Sequence, residues 1–377
     1  MTTVTSQTTT SLARIGVIGC GDISRQYFDT FAKFDDVRVV AVADLNAERA
    51  TSTAEKWLVP RVLSTDDLYD DPEVDIVVNL TVPRAHHEVS MRVVGAGKHV
   101  YSEKPLAESM EQGKELIEAA RARGVRVGCA PDTVMGGSWQ LARRFVDSGE
   151  LGEIVGGLLH FQCPGHESWH PSPEFYYQRG GGPVMDLGPY FVHALVMLLG
   201  PVARVSAHGD RSFSERVITS EPKKGTRVPV EVDTHVAATL ELCSGTFVTM
   251  MASFDVPASK APDVEIYGTE ATLSMHTPND FLPKPNGTGI IEVRHKSEQD
   301  WVQHDVEGVM PAINGRGMGL VDMARSIAEQ RPHRASGELA LHALDVMTAV
   351  ERSSIERTTI DIETTTDRPE PLDAGWC

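Results

Sequence analysis

The stretch "RIGVIGCGDIS" at residues 14–24 decides how the rest of the chain is read. Residues 15–18 are an apolar run of the kind that forms a buried parallel strand. They lead into Gly19-Cys20-Gly21-Asp22-Ile23-Ser24, a G-x-G-x-x-S sequence one residue away from the usual dinucleotide fingerprint. In that fingerprint the first glycine permits a tight turn and the second lets backbone approach a pyrophosphate, which sits on the next helix's N-terminus. The third position sets how closely helix and strand pack, and serine is small enough to serve. A helical segment, "SRQYFDTFAKF", and a second strand, "VRVVAVAD", follow. That strand ends in Asp44, about 20 residues beyond the glycines, where an acid bonds the ribose hydroxyls of NAD and repels the 2′-phosphate of NADP. Leu45 and Asn46 come next, with no adjacent arginine, so NAD is favoured and NADP remains possible. Gly19, Gly21, Asp22, Ile23 and Asp44 are the expected cofactor contacts here.

Strand and helix patterns keep alternating. "VDIVVNLTVP" (74–83) reads as a buried strand and "AHHEVSMRVVGAG" as a helix closed by glycines. "HVYSEKPLA", "SMEQGKELIEAARARG" and "VRVGCAPDT" continue as strand, helix and strand. Such repetition describes a doubly wound parallel sheet, whose ligands lie beyond the C-terminal strand ends. Thr81, Pro83, His86, Glu103 and Lys104 fall at that edge, and His86 is expected to touch the nicotinamide ribose. For His87 a capping or solvated role is expected.

A chain of 377 residues exceeds one ordinary core, so two domains are expected. Its net charge of -18 argues against nucleic acid and anionic membranes as partners. It leaves room for an anionic cofactor held locally at a helix N-terminus. The threonine-rich start has neither a basic region nor an apolar core, and residues 1–12 read as a disordered tail rather than a signal peptide. No run reaches the length of a membrane span. Five scattered cysteines suit a reducing cytoplasm.

The second half offers strand-like runs separated by turn residues, including a hairpin in "TLELCSGTFVTM" around Ser244-Gly245. It also holds "GGGPVMDLGPYFVHALVMLLG" (180–200), an apolar helix that nonetheless carries Asp186, Tyr190 and His193. Their i, i+4, i+7 spacing puts all three on one face. His160, Cys163, His166 and His170 precede this helix, but their spacing matches no closed zinc motif, and no metal is expected. "NGRGMG" (314–319) follows no strand and reads as a loop and helix cap.

Taken together, "GVIGCGDIS", "SEKPLA" and "GGGPVMDLGPY" resemble the Gfo/Idh/MocA oxidoreductases, the glucose–fructose oxidoreductase and inositol dehydrogenase family. The resemblance runs over residues 14–356. It implies an α/β chain with a Rossmann domain at 13–135, then an α/β domain at 136–360 with a large, open, mostly antiparallel sheet. That sheet implies a homodimer or homotetramer, and residues 361–377 read as a loose terminus. Lys104 matches the lysine of the family's E-K-P motif, where a strained loop or cis peptide at Pro105 is expected, and Asp186 matches the acid of D-x-G. Tyr190, four residues beyond that acid, matches the proton carrier. His193 departs from the Asp or Asn common at its position; a substrate contact is expected, and a share in proton transfer stays open. His166 and Trp169 are expected to line the substrate site, by hydroxyl bonding and ring stacking. The implied reaction is hydride exchange between a nicotinamide and a secondary alcohol or ketone of a sugar, an anhydrosugar, a glycoside or a cyclic polyol. An NAD-dependent glycosidase and a noncatalytic dinucleotide sensor are the alternatives.

Overall fold

The computed structural model describes residues 12–276, 290–305, 315–373 and 376; apart from Leu12, the tail expected at residues 1–12 lies outside them. The chain begins β1 (Ala13–Ile18), α1 (Ser24–Phe31), β2 (Val37–Ala43), α2 (Ala47–Trp57), α3 (Thr65–Asp70), β3 (Ile76–Asn79) and α4 (Pro83–Gly95). It continues with β4 (His99–Ser102), α5 (Met110–Arg123), β5 (Val127–Cys129), α6 (Gly137–Asp147), β6 (Ile154–Gln162) and α7 (Gly182–Leu199). Then come β7 (Val202–Asp210), β8 (Glu215–Val217), β9 (Arg227–Pro229), β10 (His235–Leu242), β11 (Phe247–Ser253) and β12 (Val264–Gly268). The last elements are β13 (Ala271–His276), β14 (Ile290–His295), β15 (Val302–His304), α8 (Met318–Ala328), α9 (Gly337–Glu356) and β16 (Ile360–Asp361).

The first compact unit contains a five-stranded sheet in the order β2-β1-β3-β4-β5, parallel at every pairing. Ile15, Val17, Ile76, Val77 and Val78 are buried to within 1 % because helices cover both faces, which is why these strands are apolar without alternation. The winding changes direction at β1, since β2 lies on one side of it and β3 on the other. That switch point is where open α/β sheets bind ligands.

This unit is discontinuous: residues 315–337 belong to it with residues 12–107 and 111–132. The boundary expected at residue 135 therefore misses a returning helix, α8. Asp132, fully buried after β5, accepts the Gly317 and Gly319 amides, each at 2.8 Å, and the Tyr101 hydroxyl at 3.0 Å. A carboxylate there satisfies amide donors that the helix itself leaves unpaired. Gly317 caps α8, so the loop-and-cap reading of "NGRGMG" holds for its described residues.

The second unit is built on a nine-stranded sheet in the order β15-β14-β13-β12-β6-β11-β10-β7-β16. Among the described strands of this sheet only β6 and β11 pair in parallel. The expected hairpin is β10–β11, turning through Gly245 at φ 86°. Helix α7 packs on β6, β10 and β11. Gly181 caps it, Pro183 stands in its first turn where a missing N–H does no harm, and Gly200 at φ 99° ends it. By length and composition α7 could cross a membrane, but it is a buried helix of this unit.

Residues 361–373 are not the loose terminus expected. Arg368 donates to the carbonyls of Met197 and Leu198 at the end of α7 and pairs with Asp147 at 2.8 Å, while Leu372 and Trp376 are buried. The orphan carbonyls of a helix C-terminus attract a cation, and here the sequence supplies one from the distant tail.

Candidate active site

The first unit presents a nucleotide-binding end. Gly19 has φ +98°, and a Cβ there would lie 2.6 Å from the Leu80 carbonyl carbon and oxygen, so the strand-to-helix turn admits no side chain. A Cβ on Gly21 would meet nothing within 4 Å; its bare backbone faces open space, as a phosphate contact needs. Ser24, 4 % exposed, donates to the Gly21 carbonyl at 2.7 Å and closes the turn at the start of α1. Asp22 is exposed and Ile23 is the N-cap residue.

Asp44 ends β2 with its carboxylate already oriented: Oδ2 accepts the Cys20 amide and Oδ1 the Asn46 amide, both at 2.8 Å. A remaining lone pair on each oxygen suits a ribose diol. The structure adds a residue the sequence reading missed. Arg49, in the first turns of α2, places its guanidinium 3.7 Å from Asp44 Oδ2. A search confined to the residues adjacent to Asp44 overlooks a helical neighbour five positions on.

Thr81 and Pro83 stand at the open end of β3; Thr81 Oγ1 donates to Asn79 Oδ1 at 2.6 Å. Lys104 is half-buried in the loop after β4, and its peptide bond to Pro105 is cis, as the resemblance led us to expect. Two expected cofactor contacts are corrected. The Glu103 carboxylate is turned inward, accepting the Tyr27 hydroxyl and Arg316 at 2.9 Å and the Lys104 amide at 3.0 Å. His86 is 1 % exposed, with Nδ1 2.8 Å from the Pro105 carbonyl oxygen and Nε2 3.0 Å from that of Thr81. Both ring nitrogens are committed to the protein, so the imidazole does not reach a nicotinamide ribose.

The second unit presents a polar group on an apolar helix. Asp186 and Tyr190 lie one turn apart on α7, Tyr190 8 % exposed. His166 Nε2 approaches Asp186 Oδ2 at 3.3 Å, so the loop and helix expected to cooperate do meet. The His166 ring is braced by Tyr176 at 4.2 Å, Phe254 at 4.6 Å and Trp169 at 5.3 Å between ring centroids. Trp169 itself is 61 % exposed, leaving indole surface for a ligand.

That loop is held by charges the sequence reading did not connect. Arg216 bonds Glu167 at 2.8 Å and Asp255, and Glu167 also accepts the Tyr177 hydroxyl. Beneath it Tyr177, Ile218, Val228, Val230 and Phe254 form a small apolar cluster.

His193 is the third correction. It is 1 % exposed, and its Nδ1 donates to the Pro189 carbonyl of its own helix at 2.6 Å. Burial pushes its pKa down to about 4, so the ring is neutral, with a buried Nε2 that has no hydrogen-bond partner. A ring folded back on its helix and closed to solvent is not the expected substrate contact. Among the described residues, no three His, Cys, Asp or Glu side chains gather in a way that could hold a metal ion.

A parallel sheet with a glycine turn, an anchored acid after its second strand and a lysine loop after its fourth define a dinucleotide-dependent oxidoreductase. Residues 13–130 match the NAD-binding Rossmann domain of an oxidoreductase family, and residues 139–274 match the GFO/IDH/MocA C-terminal domain. The chain belongs to the GFO/IDH/MocA oxidoreductases, and NAD is its cofactor. It is 26 % identical to the D-glucoside 3-dehydrogenase of Escherichia coli over 84 % of this chain and 92 % of that one. It is also 26 % identical to the 1,5-anhydro-D-fructose reductase of Ensifer adhaerens, over 73 % and 78 % of the two chains. A levoglucosan dehydrogenase solved with NADH and levoglucosan superposes with a TM-score of 0.76 at 20 % identity, covering 94 % of this chain and all of the other.

Proposed function

We propose that this protein is an NAD-dependent dehydrogenase or reductase acting on a secondary alcohol or ketone of a sugar, an anhydrosugar, a glycoside or a cyclic polyol. The observation that carries the proposal is the His166–Asp186 pair, one helical turn from Tyr190 and beside the exposed Trp169. Imidazole and carboxylate together bind vicinal hydroxyls, and indole packs on the apolar face of a sugar ring. The activities of the two relatives named above, on an anhydrofructose and on a glucoside, support it.

Gly19, Gly21, Asp44, Thr81 and Pro83 would hold the cofactor, which supplies hydride exchange at the nicotinamide. The chain's own residues handle the proton. We assign Tyr190 to take the substrate hydroxyl proton during oxidation and return it during reduction. A phenol is a weak base at neutral pH, and an ammonium near it favours the phenolate. We assign that charge to Lys104, which also donates to the substrate oxygen, and we assign Asp186 to a neighbouring hydroxyl. Lys104 and Tyr190 lie in different units, and their pairing rests on the family motifs both match.

The proposal includes assembly as a homodimer or homotetramer through the nine-stranded sheet, and a cytoplasmic location suited to four described cysteines that are free thiols. Light scattering checks the first. The activity is tested by offering monosaccharides, anhydrosugars, glycosides and inositols with NAD or NADP and following reduced-nicotinamide absorbance. Rate with at least one sugar or polyol supports the proposal. Release of a free sugar without net NADH assigns the protein to glycoside cleavage, and NADH binding without turnover of any compound assigns it to sensing.

A further inference from the structure

His86 is a buried side chain of the first unit that joins the loops following two adjacent strands. It sits in the first turns of α4, and its own carbonyl accepts the Asn79 amide group at 3.0 Å, with the same amide group reaching Ser90 Oγ at 3.1 Å. Its ring spans from the Thr81 carbonyl, after β3, to the Pro105 carbonyl, after β4. A carbonyl oxygen only accepts, so the ring nitrogen that carries the N–H donates to its carbonyl and the other ring nitrogen lies in close contact with the second, the tautomer deciding which is which. The neighbouring bonds belong to the same frame: Glu103 N donates to the Asn79 carbonyl at 2.9 Å, and Lys104 N to Glu103 Oε2 at 3.0 Å. Lys104 is thus enclosed along the chain, its amide fixed by Glu103 and the next residue's carbonyl fixed by His86.

We propose that His86 is a positioning residue for the reaction, tying the Thr81 loop to the Lys104–Pro105 loop and thereby setting where the Lys104 ammonium is presented. The inference rests on the assignment of Lys104 above. A structural histidine would hold the loops without regard to the lysine; a positioning one acts only while the lysine is there. Misplacing a reacting group by about 1 Å lowers turnover by about 10²-fold.

The test is a mutant cycle on the full chain, with NAD and the sugar turned over fastest in the panel above. His86→Leu should lower kcat about 10²-fold while the NADH dissociation constant, read by fluorescence, stays within about twofold. His86→Gln, whose amide nitrogen offers two N–H donors, should recover part of the loss. In the Lys104→Met background, His86→Leu should lower kcat no further, because the two act as one unit. Amide exchange over residues 99–107, followed in the NADH complex, should quicken in His86→Leu.

Wild-type kcat in His86→Leu overturns the inference, as does the same fold loss with and without Lys104, or a weakening of NADH that matches the loss in kcat. Wild-type kcat in Lys104→Met instead overturns the lysine assignment and this inference with it. Should His86→Leu fail to fold, His86→Gln and His86→Asn complete the same cycle.

Discussion

The nucleotide end of the first unit and the α7 face of the second solve opposite problems. The first is made mostly of backbone: a glycine turn with no room for a Cβ at Gly19, two amides holding Asp44, and carbonyls of Thr81 and Pro105 held by one imidazole. The second is made of side chains drawn from distant parts of the chain, with Arg216 pinning Glu167 and Asp255 so that His166 meets Asp186. A backbone cradle accepts an invariant ligand part such as a pyrophosphate. A side-chain site can be retuned residue by residue for a variable one. In the first region a change at Asp44 should therefore cost selectivity, whereas single changes in the second should cost function or stability.

The sharpest way to break this contrast is Tyr190→Phe. It keeps the ring and its packing while removing one hydroxyl, so folding and NADH affinity should survive. Turnover should fall by about 10²–10⁴-fold, the range of a lost general base. Steady-state kinetics beside a thermal melt check it; unchanged kcat removes Tyr190 from the chemistry.

Arg216→Leu should come next in size. It leaves the half-buried carboxylates of Glu167 and Asp255 without their cation; breaking a fully buried set costs about 3–5 kcal/mol, and this partly exposed one should cost about 2 kcal/mol. Denaturant unfolding measures it, and a change under about 1 kcal/mol would mean that the loop is held by its apolar cluster instead.

Asp44→Ser tests the first region. It removes the carboxylate that would repel a 2′-phosphate while Arg49 stays in place, so the NAD-over-NADP preference should shrink by about tenfold or more. Fluorescence titration with NADH and NADPH reads this directly. Equal affinities in the unmodified protein would show that Arg49 already cancels the discrimination.

The smallest effect is one of pH. Burial holds His193 near a pKa of about 4, and desolvation does the same to His333 in the first unit. Both rings are neutral when folded and take up protons more readily when unfolded. Their stability contribution is therefore present above about pH 6.5 and is lost as pH falls from there towards 4. Tm should drop by roughly 5 °C between pH 7 and 5, and His193→Phe should flatten that fall.

What could be read from the residues follows the same division. The strand–turn–helix of residues 14–24 and Asp44 depends on bonds among near neighbours, and it was legible. Lys104, Asp186 and Tyr190 were singled out through short motifs at fixed spacing. His86, Glu103 and His193 were misjudged because exposure is set by tertiary packing: His86 meets a carbonyl from another loop, and Glu103 meets Arg316 from the turn before α8, far along the chain. Arg49 and the Arg216 clamp were missed because pairing across a turn or between strands leaves no local signature.

Asp132 and the amide of Gly317 are 185 residues apart in the chain, yet they close one buried bond within one unit. During synthesis the parallel sheet emerges long before α8 does. Until the ribosome has delivered residues 315–337, Asp132 and Glu103 stand as acids without the amides and guanidinium that later satisfy them. All the strands of the second unit's sheet except β16 are made in that interval. The cofactor domain is thus the first to be begun but is completed only after most of the second unit has been made, so a nascent chain gains a complete nucleotide fold only once nearly the whole protein exists.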